Sequence, residues 1–313
     1  MGDDATAWTP DVPAAVDEHV RARGDLRLAL RRRRGPRRPF LLVHGLSSNA
    51  RLWDQVSQRL AVAGHEVAAV DLRGHGRSDA PEGGYTTPDA AADLAGLIQA
   101  LGWHGSRAPL VAGQSWGGNV VVDLAADHGL VAGLALVDGG WIRLGQRYAD
   151  FEQCWAELAP PRLDGVAAEG LMERIRAAAA TWPAESVEGA LASWDVGLDG
   201  SARPRLDRRH HRAILRSLWE RDPWDSYPRV AAPAVLLAAV PPPAAGAGLR
   251  AGDDSRVAVR EAARRLPDAQ IRWYEGAHHD LHAEQPARAA GDLLELAGRV
   301  DPLPAAFAPG RPR

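Results

Sequence analysis

Short apolar runs recur along the chain, each ending on a glycine or an acidic residue, and Ala- and Leu-rich stretches with helical spacing lie between them. Phe40-Leu41-Leu42-Val43 runs into His44-Gly45, His65 to Val70 into Asp71, Ala108 to Ala112 into Gly113, and Leu134-Ala135-Leu136-Val137 into Asp138. Ala234 to Val240 and Gln270 to Tyr274 continue the series. Unbroken apolar runs of this length suit strands buried on both faces, and their alternation with helices predicts a parallel sheet joined by crossover helices. Ala90 to Leu101 and Asn119 to Asp127 are the clearest helices between them. An earlier strand is expected at Leu26 to Leu30, followed by a solvated basic turn, Arg31 to Arg38, that contains Gly35 and Pro36.

The rhythm breaks between Gly139 and Pro228. That stretch offers no clear strand and much helical pattern, notably Ala167 to Ala180 and Arg208 to Trp219. It also holds six of the chain's 11 tryptophans, among them Trp141, Trp155 and Trp219. The expected organisation is an α/β core in two parts, 1–138 and 229–300, with a helical cap inserted at 139–228 and a flexible tail at 301–313.

With 313 residues, 46% hydrophobic and 25% charged, the chain has the composition of an ordinary globular protein. A formal net charge of −3 gives no electrostatic case for nucleic acid or an anionic membrane as partner. No apolar stretch approaches the roughly 20 residues of a membrane span, and no secretory signal is visible, so the expected compartment is the cytoplasm. The single cysteine, Cys154, excludes an internal disulfide and is expected to be buried among Phe151, Trp155 and Leu158.

Chemistry is written most plainly at Gly113-Gln114-Ser115-Trp116-Gly117, between a buried strand and a helix. A serine on so sharp a turn needs small neighbours, which Gly113 and Gly117 supply. The turn presents the hydroxyl as a nucleophile and leaves the Trp116 N–H at a helix start, aimed at developing negative charge. A serine hydroxyl also needs a general base. Gly276-Ala277-His278-His279-Asp280, in the loop after the last strand, offers two adjacent histidines, and position alone does not choose between them. The second donor for an oxyanion is expected from His44-Gly45-Leu46-Ser47-Ser48, with the Leu46 N–H as donor. His44, which could face the substrate, is expected chiefly to brace this loop. Trp141, just past the fourth strand, is a second candidate substrate contact.

This set of motifs resembles the capped group of the α/β-hydrolase superfamily, which includes esterases, C–C bond hydrolases and cofactor-free haloperoxidases. The matching pieces are His44-Gly45, Asp71 to Asp79, Gly113 to Gly118, Leu136-Val137-Asp138 and Gly276 to Pro286, so the likeness spans almost the whole chain. It implies the α/β-hydrolase fold, a mostly parallel sheet flanked by helices. It also implies that Arg73 to Asp79 is structural, with His75 a hydrogen-bonded turn residue. Aligning Glu284-Gln285-Pro286 with the family's ending places the catalytic histidine on His279, and His282 then flanks the mouth of the site.

The acid partner is less plainly marked. Its usual place in the family, after Ala234 to Val240, is Pro241-Pro242-Pro243 here. In haloalkane dehalogenases and some lipases the acid follows the preceding strand, where this chain has Asp138, and Asp138 is therefore expected to be the acid. Asp254 or Asp253 is the alternative, although both fit the N-cap and first turn of a helix. Serine at the nucleophile position argues against dehalogenase and epoxide hydrolase chemistry, which use a carboxylate. The expected reaction is acyl transfer on a small-molecule ester or related acyl compound, with no metal or other cofactor. C–C bond hydrolysis and perhydrolysis use the same residues, and a hydrolase-like small-molecule receptor is the alternative outside catalysis.

Overall fold

A computed structural model describes residues 13–162, 166–242 and 250–301; the side chains of 250–255 lie outside it. Eight strands form one sheet: β1 (Val16–Arg23), β2 (Leu26–Arg33), β3 (Arg37–Val43), β4 (His65–Val70), β5 (Leu110–Gln114), β6 (Gly133–Val137), and, past the inserted segment, Ala234–Val240 and Ala269–Glu275. Their spatial order is β1-β2-β4-β3-β5-β6, then the strand Ala234–Val240, then Ala269–Glu275 at the edge. From β4 onward all neighbours are parallel, while β1 and β2 join antiparallel.

The apolar runs are continuous because both sheet faces are covered. Side chains alternate along a strand, so Leu41 and Val43 of β3 enter one core while Phe40 and Leu42 enter the other. The first core is closed by α2 (Thr87–Ala100) and α3 (Trp116–His128), through Leu94, Leu97 and Val121. The second is closed by α1 (Asp54–Val62), through Val56 and Leu60, and by the C-terminal helix Pro286–Val300, through Leu293 and Leu296.

Two sequence expectations are corrected at the N-terminal edge. β1 was not foreseen, because its sequence, VDEHVRAR, buries little and reads as polar. The arginine run is not a solvated turn: Arg31, Arg32 and Arg33 belong to β2, and Arg37 already opens β3. Arg32 is only 9% exposed; its Nε donates to Glu66 at 2.8 Å and its Nη1 to Glu18 at 3.0 Å. Arg31 meets Asp54 at 2.8 Å and Asp17 at 2.7 Å. Carboxylates distant in sequence thus turn a charge run into a strand.

Between β6 and the strand Ala234–Val240 the chain leaves the sheet as α4 (Leu144–Arg147), α5 (Phe151–Leu158), α6 (Ala168–Ala178), α7 (Ala184–Leu191) and α8 (Arg208–Glu220). It also forms a two-stranded ribbon, β7 (Trp194–Val196) with β8 (Ala202–Pro204), that the helical reading of this stretch had not included. Beyond it lie β9 (Ala234–Val240), α9 (Arg250–Arg265), β10 (Ala269–Glu275), α10 (Leu281–Glu284) and α11 (Pro286–Val300). Cys154 is buried, as expected. Among the described residues no helix is long and apolar enough to cross a membrane.

Candidate active site

Ser115 is the single residue between β5 and α3, and its backbone sits at φ 53°, ψ −125°. A non-glycine residue rarely holds such angles unless its surroundings impose them. Here they do: Ser115 N–H donates to Val137 O at 3.0 Å, and Ser115 O accepts from Gly118 N–H at 2.9 Å. The elbow also leaves no room for side chains beside it. A Cβ on Gly113 would lie 2.6 Å from the Gly117 carbonyl carbon, and one on Gly117 would lie 2.8 Å from Val43 O. Trp116 opens α3 with its side chain buried and its indole N–H donating to Thr87 Oγ1 at 3.2 Å.

Asp138, the residue just after β6, sits in a second left-handed conformation, φ 43°. Its N–H donates to Leu237 O at 2.7 Å, and its Oδ1 accepts from Ala239 N–H at 3.0 Å. Two bonds to β9 therefore aim its other oxygen, Oδ2, which lies 2.6 Å from His279 Nδ1. His279 stands in the loop between β10 and α10. Its neighbour His278 is engaged elsewhere, with its backbone N–H donating to Glu284 Oε2 at 2.8 Å and its Nδ1 3.5 Å from Glu284 Oε1. Of the two histidines that the sequence offered, His279 is the one that bonds Asp138 and lines the cavity with Ser115. Burial alone would lower the His279 pKa; the hydrogen bond and charge of Asp138, with the charge of Asp280 behind them, outweigh it and hold His279 above its ordinary value. Asp253 and Asp254 fall in α9, and their side chains lie outside the described residues.

The turn Gly45-Leu46-Ser47 faces this pair across the sheet edge. A Cβ on Gly45 would stand 2.9 Å from Ser115 Cβ, so only glycine permits the approach. Ser47 is left-handed as well, φ 61°, and its N–H donates to His75 Nε2 at 3.2 Å. Neither the Leu46 nor the Trp116 N–H has a hydrogen-bond partner among the described residues. Unpaired backbone donors beside a serine are what an oxyanion would need.

Ser115 and His279 line one cavity of about 270 Å³. Leu46, Ser47 and Gln114 contribute from the sheet edge, Asp280 from the histidine loop, and Ile175 and Trp194 from the inserted segment. Gln114 Nε2 donates to Asp280 Oδ1 at 3.2 Å, tying the elbow to that loop. Sequence reading missed Gln114 and Asp280, although each adjoins a chosen residue; Ile175 and Trp194 carry no linear signal. Among the described residues no group of three or more His, Cys, Asp or Glu side chains is arranged to hold a metal ion.

For His44 the structure keeps the expected bracing role and removes the candidate substrate contact, and the expectations for Trp141 and His282 fail. His44 cannot meet a substrate: it is fully buried, its Nε2 accepts from Leu72 N–H at 3.0 Å, and its Nδ1 lies 2.7 Å from Gly45 O. Burial pushes its pKa down to about 4, so it braces the turn as a neutral ring. Trp141 packs half-buried against the first core and does not line the cavity; Trp194 is the tryptophan that does. His282 is not at the mouth. It lies fully buried, ring to ring with Trp53 at 4.2 Å. By contrast, His75 is the hydrogen-bonded turn residue expected, and Arg73 beside it is structural, with Nε and Nη2 on Asp93 at 2.5 and 2.6 Å.

Comparison with known proteins agrees with this architecture. A putative non-heme haloperoxidase of Mycobacterium phage D29 is 36% identical over 113 residues, which are 36% of this chain and 38% of that protein's length. A non-heme chloroperoxidase of Streptomyces lividans is 28% identical over 275 residues, 83% of this chain and 92% of the relative. Among solved structures, an E-2-(acetamidomethylene)succinate hydrolase superposes with a TM-score of 0.72 at 23% identity, covering 90% of this chain and 99% of the other. A family model described as the alpha/beta hydrolase family matches residues 40–292. From Phe40 to Asp292, which takes in the elbow, Asp138 and the His279 loop, the chain belongs to the alpha/beta hydrolase family.

Proposed function

We propose that the protein is a serine hydrolase that cleaves carboxylic esters or related small acyl compounds. The observation that carries this reading is the 2.6 Å contact of His279 Nδ1 with Asp138 Oδ2, in the cavity that also holds the strained Ser115. Asp138 fixes the proton on Nδ1, so Nε2 is free to accept the proton of Ser115 Oγ as that oxygen attacks the substrate carbonyl. Negative charge then develops on the carbonyl oxygen, and the Leu46 and Trp116 N–H groups receive it. When the tetrahedral species collapses, His279 returns the proton to the leaving alcohol. Water, deprotonated by the same nitrogen, then releases the acid and restores Ser115.

A cavity of about 270 Å³ favours small acyl groups. In this reading the helices of 139–228 form a cap, and Ile175 and Trp194 give the acyl portion an apolar wall. Turnover of short-chain p-nitrophenyl esters by the wild type beside Ser115→Ala is the test. Esterase activity that vanishes in the variant supports the proposal, and activity that survives it refutes the assigned nucleophile.

A further inference from the structure

The turn that carries Leu46 is fastened on two sides. On the sheet side, Ser47 N–H donates to His75 Nε2 at 3.2 Å, and Ala50 N–H donates to Asp71 Oδ1 at 2.7 Å. On the other side the partners belong to the inserted segment. Ser47 Oγ lies 2.9 Å from His211 Nδ1 of α8. Asn49 Nδ2 donates to Gly189 O at 2.9 Å and to Ser193 Oγ at 2.8 Å.

We propose that His211 is a positioning residue for the reaction: through Ser47 it holds the Leu46 N–H where an oxyanion forms, so that the seating of the inserted segment completes the oxyanion site. This rests on the assignment of Ser115 and Leu46 above. Ser47 is a non-glycine residue held at φ 61°, a conformation that costs free energy unless its surroundings fix it. Its backbone N–H and its side chain are both engaged, by His75 and by His211, and these two bonds fix it. Leu46, one residue earlier, turns with it.

His211 is well built for such a role. It is 7% exposed, and its ring meets Trp155 edge-on, with centroids 6.2 Å apart. Burial pushes its pKa down to about 4, so the ring stays neutral at physiological pH and presents a fixed hydrogen-bonding edge. Its Nδ1 is engaged by Ser47 Oγ, and the Leu158 carbonyl also acts on the ring, offsetting part of the effect of burial. A phenylalanine here would avoid the desolvation but would give up the bond to Ser47.

Four variants test the inference: His211→Phe, His211→Asn, Ser47→Gly, and Ser47→Gly combined with His211→Phe. Each is assayed with p-nitrophenyl butyrate for kcat and KM, and for Tm. His211→Phe keeps the ring and is expected to lower kcat about 10-fold or more with little change in KM, since a displaced donor weakens the transition state and not the bound substrate. His211→Asn restores a hydrogen-bonding group near Nδ1 and should recover most of that loss. In the Ser47→Gly background His211→Phe should cost less than twofold, because the link it cuts is already gone. Unchanged kcat in His211→Phe overturns the inference, as does a His211→Phe effect that is as large in the Ser47→Gly background as in the wild type. If turnover is lost in Ser115→Ala while His211→Phe is unaffected, this inference fails and the hydrolase reading stands. If turnover survives Ser115→Ala, both fail.

Discussion

Asp138→Asn exchanges one oxygen for an NH₂ of nearly the same size, and the structure dictates which oxygen is replaced. Ala239 N–H donates to Oδ1 at 3.0 Å, so that position must remain an acceptor. The asparagine carbonyl therefore takes the place of Oδ1, and its NH₂ faces His279 Nδ1, where Oδ2 now stands at 2.6 Å. The reverse orientation would set two donors against each other at the end of β9. An NH₂ at that place needs an acceptor, so Nδ1 gives up its proton and Nε2 takes one. Nε2 then has no lone pair for the proton of Ser115. The expected loss is on the order of 10⁴-fold in kcat, about 5 kcal/mol of barrier, with KM little changed. Circular dichroism and Tm should stay near wild type, because the shape and the bond to Ala239 persist. The residual activity should also lose its acid limb above pH 6.5, since Asp138 is what holds His279 above its ordinary value. Steady-state turnover of p-nitrophenyl acetate between pH 5 and 9 reads both effects. Asp253→Asn and Asp254→Asn are expected to remain within a few fold of wild type. An Asp138→Asn enzyme within 10-fold of wild type, or an inactive Asp254→Asn, would refute the reasoning.

Three further outcomes are expected elsewhere in the molecule. Gly117→Ala places a Cβ 2.8 Å from Val43 O and against the His44 carbonyl, so it should cost about 1–3 kcal/mol of stability and most of the turnover; a variant with wild-type Tm and kcat would deny that the elbow is packed as described. Asp93→Asn leaves Arg73 and the approaching Arg23 without their shared carboxylate in a buried setting and should cost about 3–5 kcal/mol in urea unfolding, against under 1 kcal/mol if the pair were merely superficial. His282, buried against Trp53 with neither ring nitrogen paired among the described residues, has its pKa pushed down to about 3 by burial. The unfolded chain takes up this proton below about pH 6.5 and the folded chain does not, so His282 withdraws stability as the pH falls through that window. Relative to wild type, His282→Phe should gain about 2 kcal/mol more at pH 5 than at pH 7 in urea titrations, and a gap that stays constant with pH would show His282 to be solvated.

The sheet was legible because both its faces are buried. Phe40 to Val43 and Ala234 to Val240 are apolar at every position, and such runs leave a strand little to be mistaken for. β1 was not legible for the opposite reason: as an edge strand with most side chains in water, its pattern of Asp, Glu, His and Arg carries no period-2 apolar signal. The arginines of β2 read as a turn because their partners, Glu66 and Asp54, are distant in sequence. At the site, Gly113 to Gly117 is a local motif whose geometry follows from five consecutive residues, and it could be read directly. The bond between Asp138 and His279 joins residues 141 positions apart, and only β9 and its two backbone bonds aim the carboxylate. His282, and the candidate substrate contact at His44, were misjudged for a related reason. Burial depth is a property of the assembled layers, and a histidine bracing a loop has the same letter as one facing a substrate.

The central claim is that Ser115 is the nucleophile, and covalent capture by a fluorophosphonate, located by peptide mass spectrometry, tests it most directly. The account expects a single adduct on the peptide containing Ser115, formed on the intact wild type and absent from Ser115→Ala. An adduct on another residue, or none on an enzyme that still turns over esters, would contradict it.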